Sequence, residues 1–184
     1  MIEGAQKTYP PSEYPDLHFA VADCSKPEHL PRHDEPFDVV FAGWLLNYAA
    51  SEAELVDMFR LIEAQLKTDG RFVGVTTNVD DPFVKEPKLN FYGLDIEVVE
   101  KEYVAPDTGK EVGIVAKLTA HTEPVVQFQC YQFRKEVYER CADRAGLVLS
   151  WKEPVLPDDE RKETGFWDRW VARPTISIVG AVRK

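Results

Sequence analysis

Read for its apolar and polar positions, the chain divides into short elements separated by Pro, Gly and Asp. Phe37-Asp38-Val39-Val40-Phe41-Ala42-Gly43 is an almost unbroken apolar run, short enough for one strand. A continuous run, rather than an alternating one, predicts a strand buried on both faces of a parallel sheet. Ligands of such open sheets sit past the carboxyl ends of the strands. Ala42, Gly43 and Trp44 are therefore expected at the lip of a crevice, with a helix starting at once. Ser51 with Glu54 makes a capping box, and Leu55, Met58, Phe59, Ile62 and Leu66 follow at helical spacing as a core-facing stripe. Asp69-Gly70 should end this helix, and Arg71 to Thr76 should form the next strand.

The pattern changes from Thr77. Asn78 to Lys88 reads as a loop with two prolines, and residues 95–103, 111–120 and 125–131 carry β-branched and aromatic residues. Asp107-Thr108-Gly109 between two of these runs is a hairpin signal. A helix over 133–145 ended by Gly146, a strand over 147–152, an acidic loop, a short aromatic helix over 165–170 and a last strand over 175–182 complete the chain. Upstream, the Pro-rich turn at 10–15 precedes a short strand over Leu17 to Ala22, and Lys26 to Pro36 is a polar loop. This order predicts an α/β layered sheet in a single domain over 1–184, with residues 77–132 as an antiparallel β insertion.

Length and charge narrow the function. At 184 residues one domain can bury a substantial core. A formal net charge of −10, without a basic stripe, argues against nucleic acid as a partner. No apolar run is long enough to span a bilayer, and the N-terminus lacks a signal-peptide layout. Three cysteines without framework spacing suit a reducing compartment, so a cytoplasmic protein is expected.

Several stretches, in order, resemble class I S-adenosylmethionine-dependent methyltransferases. Phe37-Asp38-Val39-Val40 followed by Leu45-Leu46-Asn47-Tyr48-Ala49 is similar to that family's fourth strand and the turn after it. Leu66-Lys67-Thr68-Asp69-Gly70-Arg71 is similar to the family's "Leu-Lys-Pro-Gly-Gly-Arg" entry to the fifth strand, with Thr68 and Asp69 replacing Pro-Gly. Val21-Ala22-Asp23 resembles the acidic motif that ends the third strand, and Met1-Ile2-Glu3-Gly4-Ala5 the start of the helix after the second. The ending, with Phe166-Trp167 before a final strand, resembles the tail of small-molecule methyltransferases whose last two strands pair antiparallel.

The resemblance implies a Rossmann-like methyltransferase sheet, incomplete at its N-terminal half, with an antiparallel β insertion and an antiparallel last strand. It implies S-adenosylmethionine as cofactor and a small-molecule acceptor roofed by the insertion. Met1 and Ile2 would flank the adenine, Asp23 and Cys24 would face its edge, and Ala42, Gly43 and Trp44 would approach the methionine end. The family's Gly-rich turn and ribose-binding acid have no counterpart, because the ten glycines are scattered and none forms Gly-x-Gly after a strand. Met1 is then expected to be an internal methionine of a longer parent. Loss of the first strand, which in the family lies between the second and fourth, should leave strand edges unpaired and favour oligomers.

Methyl transfer from a sulfonium asks mostly for positioning, with a base where an oxygen or nitrogen acceptor must lose a proton. His121 and Tyr131 are candidate bases, but no motif surrounds either, so the catalytic residue stays unassigned. Asn78, Phe83, Tyr92, Tyr131 and Trp167, with Phe91 and Trp44, are candidates for the acceptor pocket. Asp23 has a second reading as a turn cap beside Ser25. Two other functions remain open. One is a non-catalytic methyltransferase-like binding or dimerisation module. The other is metal binding through His18, Cys24, His29 and His33, although Pro31 keeps the last two off a common helix face; no metal site is assigned.

Overall fold

The computed structural model describes residues 2–26, 35–78 and 80–184. In chain order its elements are α1 (Ile2–Thr8), β1 (Phe37–Gly43), a 3-10 turn (Leu45–Tyr48), α2 (Glu52–Gln65), β2 (Leu66–Thr77), β3 (Lys88–Phe91), β4 (Leu94–Val104), β5 (Glu111–Ala120), β6 (Val126–Phe133), α3 (Lys135–Arg144), β7 (Leu147–Lys152), α4 (Asp168–Ala172) and β8 (Ile176–Arg183). The first sheet has the order β1-β2-β8-β7, and the second the order β3-β4-β5-β6. β1 and β2 are parallel, whereas β8 enters antiparallel between β2 and β7. The second sheet is antiparallel throughout.

Local signals account for the helical layer. The Ser51 hydroxyl accepts the Glu54 amide at 3.1 Å, and the Glu54 carboxylate accepts the Ala50 amide at 2.7 Å. A second cap comes from the distant β4–β5 turn, where the Asp107 carboxylate accepts the Ala53 amide at 2.8 Å and the Glu52 amide at 3.4 Å. Leu55, Phe59 and Ile62 of α2 then bury against Phe72 and Val179 of the sheet, and α3 adds Val137, Tyr138 and Cys141 to the same core. The helix stops at Gln65, before the expected Asp69-Gly70 break, because Leu66 already pairs with Phe37 and is fully buried. A bulge follows before Val39 faces Arg71. Likewise α3 starts at Lys135 rather than Phe133, which is the last residue of β6 and sits opposite Gly113. Only glycine fits at 113: a Cβ there would stand 2.0 Å from the Gln132 carbonyl oxygen.

Two expectations are corrected. β1 is not buried on both faces. Among the described residues it is an edge strand paired with β2 alone, and Phe41 is 67% exposed. Val39, Arg71, Val182 and Val148 form one row across the face that α2 and α3 leave bare. Leu17 to Ala22 is no strand either. A strand exists through its ladder, and no described element pairs with this segment, whose Val21 is 87% exposed. β3 was not anticipated at all.

Candidate functional site

A cavity of about 240 Å3 lies where the carboxyl ends of β1 and β2 meet the inner face of the second sheet. Trp44, Asn47 and Tyr48 line it from the turn after β1, and Thr77 and Asn78 from the end of β2. The roof alternates as a pleated strand must: Leu94 and Ile96 of β4, then Phe128, Cys130 and Gln132 of β6, face inward. Trp44 takes a left-handed conformation (φ 63°), and its amide bonds the Val75 carbonyl at 3.0 Å. That bend turns the chain from the strand into the 3-10 turn and sets Asn47 inside.

Asn47 ties the floor together. Its amide nitrogen lies 3.3 Å from the Thr77 hydroxyl, 3.1 Å from the Tyr131 carbonyl and 3.4 Å from the Tyr138 hydroxyl. Its carbonyl oxygen accepts the Thr76 hydroxyl at 3.1 Å, and Thr76 also reaches Tyr138 at 3.1 Å. Burial pushes the Tyr138 phenol up to about 12 and raises the Cys130 thiol as well, so neither ionises near neutrality. Above the floor, the Lys88 ammonium pairs with Asp81 at 2.9 Å, with side chains 8% and 2% exposed. Burial lowers the Lys88 pKa, whereas its Asp81 partner opposes that shift.

The structure separates the sequence-derived site residues. Ala42, Gly43 and Trp44 do lie at the end of β1, and Trp44 and Asn78 line the cavity. Tyr131 packs behind it against Tyr103 and Phe133, giving its carbonyl rather than its hydroxyl to Asn47. Phe83 is half exposed beneath the Arg173 guanidinium. Tyr92 and Trp167 stack on each other 5.4 Å apart in a separate aromatic cluster with Phe91 and Phe166. His121 pairs with Asp95 at 2.9 Å, while Leu94 and Ile96 on either side of Asp95 face the cavity, so the pair belongs to the outer face.

Asp23 accepts the Ser25 hydroxyl at 2.7 Å and the Ser25 amide at 3.1 Å, and Lys26 stands 3.2 Å away. These partners, the Ser25 hydroxyl first, lower its pKa to about 2. Cys24 is half-buried beside it and Ile2 is half-buried on α1; Met1, His29 and His33 lie outside the described residues. Among the described residues no three His, Cys, Asp or Glu side chains are grouped to hold a metal. No described helix is long and apolar enough to cross a membrane. Sequence reasoning missed Asn47, Lys88 and Gln132. Their signal was a polar residue at an inward position of an otherwise apolar strand or turn.

A parallel β1–β2 pair, an antiparallel last strand inserted beside it and a β roof over the carboxyl ends are consistent with the Rossmann-like fold of class I S-adenosylmethionine-dependent methyltransferases. Solved structures agree. The chain is similar to an S-adenosylmethionine-dependent methyltransferase from Clostridium acetobutylicum, at 10% identity and a TM-score of 0.62, over all of this chain and 71% of that one. It is similar to the glycopeptide N-methyltransferase MtfA in complex with S-adenosylmethionine, at 14% identity and a TM-score of 0.56, over 99% and 71% of the two chains. It is also similar to the CcbJ methyltransferase from Streptomyces caelestis, at 15% identity and a TM-score of 0.52, over 89% and 62%. The chain thus spans roughly two thirds of the length of these neighbours. No protein-family model matches the sequence, and no curated protein does.

The residues present fit one side of such a cofactor. The lip at Gly43 is open on its Cβ side except for the Phe41 ring at 3.3 Å, and the cavity adjoins it. Asp23, the acid expected at the adenine edge, has its carboxylate engaged with Ser25 and Lys26.

Proposed function

We propose that this chain forms the acceptor-binding side of an S-adenosylmethionine-dependent methyltransferase that acts on a small molecule. The observation that carries the reading is the cavity at the carboxyl ends of β1 and β2, roofed by the antiparallel sheet. That is where an open α/β sheet takes its ligand, and apolar walls with a few polar groups are what a small acceptor needs. In such a site Trp44, Phe128 and Leu118 exclude water, Asn78 and Gln132 orient the acceptor, and Asn47 holds the floor beneath it. A second reading, a non-catalytic binding or dimerisation module, rests on β1, which among the described residues is an edge strand through which copies would associate.

Calorimetric titration of S-adenosylhomocysteine tests the two. The chain alone should bind it no tighter than about 1 mM. The same chain placed after the first strand and Gly-rich turn of a class I methyltransferase should bind it in the micromolar range. A chimaera that binds no better than the chain alone would favour the non-catalytic module.

A further inference from the structure

Lys88 lines two hollows. On its other side, between β3 and α4, a second one of about 270 Å3 is lined by Leu89, Phe91, Arg169 and Arg173 as well. The chain carries a formal charge of −10, yet three cations line this hollow. Among the described residues one buried carboxylate answers them: Asp81 lies 2.9 Å from the Lys88 ammonium and 3.4 Å from the Arg173 Nε. Glu86 stands 4.0 Å from Arg173, with its side chain mostly exposed.

Arg169 is held without being neutralised. Its Nη1 and Nη2 donate to the Asn90 and Leu89 carbonyls at 3.0 and 3.2 Å, and its guanidinium lies 5.4 Å from the Phe91 ring. Among the described residues it has no carboxylate partner. A guanidinium carries five N–H donors, so these two bonds fix its plane and leave donors free. Arg173 also donates to a carbonyl, that of Phe83 at 2.5 Å, but it shares its charge with Asp81 as well. Carbonyl clamps on planar cations leave their charge available in a fixed geometry, which is what a carboxylate or phosphate needs from its receptor.

We propose that this hollow is an anion-binding subsite, and that the acceptor is a small molecule whose carboxylate or phosphate is held by Lys88, Arg169 and Arg173 while its less polar body enters the cavity beside Trp44. The proposal rests on the reading of that cavity as the acceptor pocket. Lys88, common to both hollows, lets one ligand occupy the two.

The test titrates the 15N-labelled chain with phenylacetate, phenyl phosphate, phenylacetamide and phenethylamine, following the amides of Leu118 and Cys130 in the cavity and of Leu89 and Arg169 in the subsite. At least one anion should bind tenfold or more tighter than the amide or the amine and move both sets of amides. R169Q should reduce that preference severalfold at unchanged melting temperature, whereas R169K, which keeps the charge, should retain more of it. Stronger phenyl phosphate binding identifies a phosphate site, and stronger phenylacetate binding a carboxylate site. Equal affinity for anion and amide, with only the cavity amides moving, overturns the subsite and leaves the acceptor pocket standing. Anion binding that moves only the subsite amides keeps the subsite but removes the acceptor reading. No binding by any probe, or an anion preference untouched by R169Q, overturns the proposal.

Discussion

Replacing Asn47 by Leu should loosen both the core and the cavity floor. The substitution keeps the approximate shape of the side chain but removes its carbonyl oxygen and both amide donors. Thr76 loses the acceptor at 3.1 Å, and the Tyr131 carbonyl loses a donor at 3.1 Å. Tyr138 and Thr77 lose their longer contacts, but Thr76 and Tyr138 keep each other at 3.1 Å, so the network is cut without being abolished. Two to three lost bonds at roughly 0.5–1.5 kcal/mol each, together with the cost of leaving buried groups unmatched, give about 2–4 kcal/mol. Asn47 is 1% exposed, so water cannot make up the loss. For a chain of this size that corresponds to a melting temperature lower by roughly 5–15 °C. Urea unfolding monitored by tryptophan fluorescence reads the change, and a cycle with Y138F isolates the shared part, expected at about 0.5–3 kcal/mol. A loss below about 0.5 kcal/mol for N47L, or strict additivity with Y138F, would refute the view that Asn47 joins the sheet, the roof and α3.

Three further perturbations probe other joints. D107A removes the second cap of α2 and should cost about 1–2 kcal/mol in urea unfolding, while D107N, which keeps an acceptor oxygen, should cost less. The Glu52 carboxylate is depressed below its ordinary value of 4.5, chiefly by its hydrogen bonds to Arg140. Its contribution is present above that value and lost as pH falls through the lower folded value. R140M should therefore flatten the acid limb of the stability curve, at a neutral-pH cost of about 1–3 kcal/mol because it strands a buried carboxylate. F41K, placed on the exposed β1 edge strand, should shift the sedimentation profile toward monomer if copies associate there; an unchanged profile would exclude that edge as the contact.

What the sequence made legible is what short-range chemistry decides. The Ser51–Glu54 box, the stripe of α2, the turn at Asp107 to Gly109 and the helix end at Gly146 all depend on neighbours within a few residues, and the structure has them. Gly109 and Gly146 take the positive φ that glycine tolerates, 66° and 84°. What failed depends on distant partners. An apolar run such as Phe37 to Gly43 states which surface wants covering, not whether anything covers it, so burial on both faces did not follow. Leu17 to Ala22 has strand composition but no ladder to join. β3 spans four residues after Pro87 and owes its existence to pairing with β4, which no local pattern encodes.

The same distinction explains the site. Trp44 could be put beside the cavity because a positional rule points to the ends of parallel strands, whatever the side chain, whereas nothing local marked Asn78 for its place there. Tyr92 and Trp167 could not be kept out of the pocket by sequence, because an aromatic ring looks alike in a cluster and in a binding wall; their stacking depends on α4 returning to the β3–β4 turn. Asn47, Lys88 and Gln132 carry more information than the aromatics do. A polar group on the inward side of an apolar element costs stability unless it is bonded, so its presence there marks either an internal tie or a ligand contact. Asn47 is largely engaged by Thr76, Thr77, Tyr131 and Tyr138, which makes it a tie. Lys88 has one carboxylate among its contacts and two cationic neighbours, which makes it the member of the set whose placement a bound anion would best explain.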